Sequence, residues 1–88
     1  MNNQRRKEIQ EVINKLADLD ALRNEIKEEI ERIRDEEQEY YDNMPEGLQQ
    51  SDRGYKAEEA ASQLDDAAQQ LDDLDIDGLT SNLDVAQE

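Results

Sequence analysis

The sequence predicts an all-α protein built as an antiparallel two-helix hairpin. Three observations carry this. Residues 1–43 contain neither Gly nor Pro and keep a heptad of apolar residues. Residues 52–75 carry a second heptad rich in Ala. Between them, "YYDNMPEGLQQSDRGY" (40–55) holds the only Pro, two of the three Gly and all three Tyr. Two periodic segments of similar length around one breaker-rich stretch are the pattern of a helical hairpin.

The first helix is predicted over residues 4–43. Ile9, Leu16, Arg23, Ile30 and Glu37 occupy one heptad position, a, and Val12, Leu19, Ile26, Ile33 and Tyr40 occupy the other, d. Every residue of the d row is apolar or aromatic, whereas Arg23 and Glu37 interrupt the a row. Rows spaced this way form the seam of a coiled coil. Glu11–Lys15 and Glu28–Arg32 stand four apart, where opposite charges add roughly 0.3 kcal/mol each.

The turn is predicted over 44–51. Pro45 disfavours α geometry at Met44 and cannot donate to the helical ladder. Gly47 permits a reversal, and Ser51 or Asp52 is positioned to cap the next helix. The second helix is predicted over 52–75, with Ala57, Ala60, Leu64, Ala67, Leu71 and Leu74 as its seam. The motif "QLDD" occurs at 63–66 and again at 70–73. Residues 76–88 either continue this helix or break at Gly78 into a short helix bearing Ile76, Leu79 and Leu83, and the break is favoured. The hairpin register sets Tyr40 beside Tyr55 and Arg23 beside Asp72, with Arg5, Arg6 and Lys7 near the acidic C-terminus. At about 1.5 Å per residue the hairpin is roughly 60 Å long.

Residues 1–88 therefore make a single domain with a thin core. An Ala-rich seam buries little area, and Ile13, Leu22, Ile76, Leu79 and Leu83 fall off the seams. Self-association, most simply a dimer completing a four-helix bundle, is expected to cover them.

Composition narrows the function. The chain has no Cys and no His, which removes thiolate zinc sites and the commonest general base. With no phosphate-binding glycine loop either, an enzyme is not expected. No apolar run is long enough to span a membrane, and the N-terminus lacks the apolar stretch of a secretory signal. The expectation is a cytoplasmic protein, in the host cytoplasm if phage-encoded. The formal net charge is −15. Residues 1–44 carry 13 acids and 8 bases; residues 45–88 carry 12 acids and 2 bases, with none after Lys56. Such a surface repels nucleic acid and anionic membrane and attracts basic proteins.

Three candidate sites follow. The first is the acidic face of the second helix, with Asp65, Asp66, Asp72 and Asp73 as the partner-binding residues. Rows of carboxylates imitate duplex phosphates and fit a basic groove. The second is the hairpin tip, where Tyr40, Arg53, Tyr55 and Lys56 combine stacking rings with cations suited to a nucleotide. The third is calcium. "DLDIDGLTSNLD" (73–84) has EF-hand spacing, with Asp73, Asp75, Asp77, Ser81 and Asp84 as ligands and Gly78 at the sharp turn. Its position 12 is Asp rather than Glu, position 8 is Thr80, and only four residues follow. No other cofactor is expected.

The centre "DNMPEGLQQSDRG", preceded by "RDEEQEYY" and followed by "AEEAASQLDDA", resembles small acidic helical proteins of unassigned function found in phages and prophages. The resemblance covers residues 30–74. It implies the role such accessory proteins often have, inhibition of a host defence system. The leading expectation is a non-enzymatic, self-associating inhibitor presenting an acidic helical face to a basic host protein by nucleic-acid mimicry. The alternative is a sponge for a signalling nucleotide, and the third is a small calcium-binding protein.

Overall fold

The computed structural model describes residues 1–88. It is all-helical, with α1 at Asn3–Asp42, α2 at Glu46–Gln49, α3 at Asp52–Asp72 and α4 at Ile76–Gln87. No helix is long and apolar enough to cross a membrane. The residues group into two compact units, Ile26–Asp73 and Met1–Glu25 with Leu74–Glu88.

The unit Ile26–Asp73 combines the C-terminal part of α1 with α2 and α3. α1 ends before Pro45, and the Pro45 carbonyl accepts the N–H groups of Leu48 (2.8 Å) and Gln49 (3.1 Å). The chain therefore turns through one helical turn, α2. No residue has positive φ, so Gly47 is not used as a left-handed pivot. The glycine that matters is Gly54. It is buried in the first turn of α3, and a Cβ there would land on the Gln49 backbone. Only a residue without a side chain lets α2 lie this close to α3. Ser51 occupies the N-cap position of α3, but its hydroxyl donates to the Leu48 carbonyl and makes no cap bond.

The buried residues of α3 are Gly54, Ala57, Ala61 and Ala68, with Leu64 and Leu71 half-buried between them. This seam lies slightly round the helix from the expected one: Ala61 and Ala68 are covered, whereas Ala60 and Ala67 are half-buried and Leu74 is exposed. No large side chain is fully buried, so the apolar stabilisation, roughly 25 cal/mol per Å² covered, is small. Charge supplements it. Lys27 Nζ lies 2.7 Å from Asp72 Oδ1, and Arg34 Nη1 lies 2.7 Å from Asp65 Oδ1. The partners stand seven apart on both helices, and numbers fall along α3 as they rise along α1. Asp65 and Asp72 are the third residues of the two QLDD repeats.

The unit Met1–Glu25 with Leu74–Glu88 combines the start of α1 with α4. The Asn2 side-chain carbonyl caps α1 by accepting the Arg5 N–H at 2.8 Å. The break between α3 and α4 falls at residues 73–75, ahead of Gly78. Asp75 caps α4, its Oδ1 accepting the Gly78 N–H at 2.9 Å, and Ile76 is the buried anchor. Arg6 Nε donates to the Gln87 carbonyl at 2.9 Å.

Candidate binding surfaces

The covered stripe of α1 is not the one that apolar periodicity singles out. Its half-buried residues run Arg6, Ile9, Ile13, Leu16, Asp20, Arg23, Lys27, Ile30, Arg34, Glu37 and Tyr41, with Glu31 beside Lys27 and Arg34. That is the interrupted a row together with the polar-rich row four residues on. The pure apolar d row stays in solvent: Val12 is 46% exposed, Leu19 48%, Ile26 39%, Ile33 43% and Tyr40 47%. Ion pairing to the acids of α3 demands cations at the contact, and Lys27 and Arg34 occupy the row that supplies them.

In the unit Ile26–Asp73 the two sides of α3 differ sharply. At 3.6 residues per turn, Glu58, Asp65, Asp66 and Asp72 share one half of the helix. The other half carries Arg53, Lys56, Ala60, Gln63 and Ala67, and Asp52, Glu59 and Gln70 lie on the border between the two. On the acidic side a groove of about 350 Å³ is lined by Arg34, Asp35, Gln38, Glu58, Ser62 and Asp65, floored by Ala61. A smaller one of about 160 Å³ lies over the Lys27–Asp72 and Arg34–Asp65 pairs.

The four carboxylates of the expected acidic site divide into two pairs. Asp65 is held by Arg34 and by Gln69 Nε2 at 2.8 Å, and Asp72 is held by Lys27. Asp66 and Asp73 are exposed and make no side-chain bond. The hydrogen bond that Lys27 donates to Asp72 raises the Lys27 pKa above its ordinary value, and the one that Arg34 donates to Asp65 raises Arg34 likewise. Arg23 does not pair with Asp72. Its guanidinium donates to the Leu74 carbonyl at 3.3 Å and to Asp20. Arg32 pairs with Glu36 at 3.1 Å rather than with Glu28.

The tip residues are also divided. Tyr40, Arg53, Tyr55 and Lys56 are all exposed, and Arg53 and Lys56 lie three apart on one side of α3. Tyr55 lies on the other side, two positions from Arg53 and so more than half a turn round the helix. Tyr41, absent from the expected set, is the half-buried tyrosine, and its carbonyl accepts Gln49 Nε2 at 3.0 Å.

The calcium reading is corrected. An EF-hand loop wraps oxygens round the ion in irregular backbone, whereas Asp77, Ser81 and Asp84 ride on the regular helix α4. Asp75 spends its carboxylate on the Gly78 N–H. Asp73 precedes the break, and no group of three carboxylates is gathered for a metal. An Asp-rich helix start reproduces the spacing of the loop without its geometry.

Compared with protein families, with curated proteins and with solved structures, the chain matches none.

Proposed function

We propose that this chain acts by binding: a self-associated helical hairpin that offers the acidic side of α3 to a basic host protein, as a phage-type inhibitor of a host defence system. The observation that carries the reading is the one-sided distribution of charge on α3. Asp65 and Asp72 are consumed in ion pairs that fix the helix, and Asp66 and Asp73 remain as unpaired carboxylates seven residues apart. Seven residues is about 10.5 Å along a helix, and regularly spaced unscreened anions on a rigid rod are what a phosphate-binding groove accepts.

The test is competition. A basic duplex-binding nuclease of bacterial defence, loaded with fluorescent DNA, is titrated with the chain at low and at physiological salt. The wild type is expected to displace DNA, and Asp66→Asn/Asp73→Asn to lose most of that effect. Asp65→Asn and Asp72→Asn mainly lower the melting temperature. Equal competition by wild type and the Asp66→Asn/Asp73→Asn variant would sink the mimicry reading. A nucleotide sponge retains one supporting observation, that neither Arg53 nor Lys56 has a carboxylate partner. Calorimetric titration with cyclic nucleotides, repeated on Arg53→Ala, tests it.

A further inference from the structure

The two QLDD repeats of α3 carry a pair of acids each, and the members of a pair differ in what they meet. The third residue of each repeat, Asp65 or Asp72, faces α1, where Arg34 or Lys27 lies 2.7 Å away. The third-residue row therefore already holds a helix whose cations stand seven residues apart. The fourth residue, Asp66 or Asp73, repeats the same step on the solvent side and makes no side-chain bond. Glu59 continues that outer row one step toward the start of α3, exposed and equally unbonded. Resting on the acidic-side reading proposed above, we infer that the row of Glu59, Asp66 and Asp73 docks a basic α-helix of the partner protein, one whose Lys or Arg residues recur every seven residues.

Charge and spacing select this occupant. The α1 edge of the same side adds Glu31 and Asp35, which line the two grooves, and Asp42, which accepts from Gln38. The cations there, Lys27 and Arg34, are already paired, and Arg32 is paired with Glu36. Lys56 stands beside Glu59 at the border, so Asp66 and Asp73 are the stronger rungs. A second copy of the chain cannot supply the matching ladder. Of its ten Lys and Arg, only Lys27 and Arg34 stand seven apart, and both are spent within the chain. A metal ion does not fit either, because rungs about 10.5 Å apart share no ion and no three carboxylates converge. A helix does fit, since two helices with a common seven-residue period keep their rows facing as they wind together. The groove beside the row, floored by buried Ala61, gives the aliphatic stems of the partner's cations an apolar surface to lie on. Exposed basic helices are also what many DNA-binding proteins place in the major groove, so a chain that covers such a helix competes with DNA.

Two synthetic peptides test this by calorimetric titration of the full chain at low salt. One is an Ala-rich helix with lysines seven residues apart. The other is an isomer of the same composition with its lysines spread round the helix. The first is expected to bind roughly 10-fold tighter, the combined worth of two well-placed exposed rungs. Asp66→Asn/Asp73→Asn removes no bond within the chain, so it keeps the fold, and it is expected to bind both peptides alike. Glu28→Gln/Glu58→Gln removes the same charge away from the row and is expected to keep the preference. Equal affinity of the wild type for the two peptides would overturn the inference. So would a preference that survives Asp66→Asn/Asp73→Asn, or one lost as fully in Glu28→Gln/Glu58→Gln. Failure of the mimicry reading is separate: the peptide preference without DNA competition would sink mimicry alone, and DNA competition without the preference would sink this inference alone.

Discussion

Gly54 and Gly47 sit seven residues apart and have opposite prospects. A methyl group at Gly54 falls on the Gln49 backbone, which cannot swing aside as a flexible side chain would. Gly54→Ala is expected to cost about 1–3 kcal/mol, the usual range for forced overpacking. A methyl at Gly47 meets nothing within 4 Å, and the residue already has ordinary negative φ. Gly47→Ala is therefore expected to stabilise by about 0.4–1 kcal/mol, through the unfolded chain. Urea unfolding of the two variants checks both signs at once. From sequence, a glycine after a proline looks like the pivot of the turn, and the second glycine looks incidental. The structure reverses their importance because Gln49, which closes α2, is what Gly54 must accommodate. Close approach of two backbones leaves no periodic trace in a sequence.

At the scale of the elements, α1 was legible almost to the residue. A long stretch without Gly or Pro, stopped by Pro45, has few alternatives. Which stripe of α1 meets its neighbour was not legible, because periodicity identifies apolar rows and says nothing of what covers them. The d row looked like the inner seam and is exposed, while Lys27 and Arg34 face inward toward Asp72 and Asp65. The expected partner of Asp72, Arg23, is one helical turn from the actual one, the length of chain that the unforeseen turn α2 consumes. The ladder also has a pH signature. Lys27 has a raised pKa, first through its hydrogen bond to Asp72 and then through nearby carboxylates. A cation whose pKa is higher in the folded state stabilises fully below its ordinary 10.5 and loses that contribution as pH rises through the folded value. The melting temperature of Lys27→Met is thus expected to lie below wild type at neutral pH and to converge with it in strongly alkaline buffer. A constant gap would mean that Lys27 acts through its aliphatic stem.

Across the whole molecule, a net charge of −15 works against every compact state. Salt is expected to raise the melting temperature steeply between ~0.01 and ~0.15 M, as the screening length falls from ~30 to ~8 Å. The two proposed interfaces should respond with opposite signs. Self-association strengthens with salt, because screening relieves repulsion between copies. Binding through Asp66 and Asp73 weakens, because screening removes its attraction. Sedimentation and DNA competition across one salt series measure both. The acidic side proposed for binding was only partly legible in the sequence. Of Asp65, Asp66, Asp72 and Asp73, two are spent on internal pairs, a division that depends on which cations α1 turns inward. The calcium motif failed because spacing in Asp-rich sequence does not say whether the backbone is loop or helix.

The cross-helix ladder has one more consequence. Glu58, Asp65 and Asp72 form a series with a seven-residue step, and so do Lys27 and Arg34. Sliding α3 by one step would set Lys27 against Asp65 and Arg34 against Glu58, keeping two attractive rungs. The rungs are therefore degenerate and cannot themselves choose between the two alignments. What breaks the tie is the connection: Pro45 fixes where α1 stops, α2 uses up a set length of chain, and Gly54 admits Gln49 at one position only. The short helical turn is the gauge that sets the zero of the ladder, and a chain with that turn shortened would be free to slip.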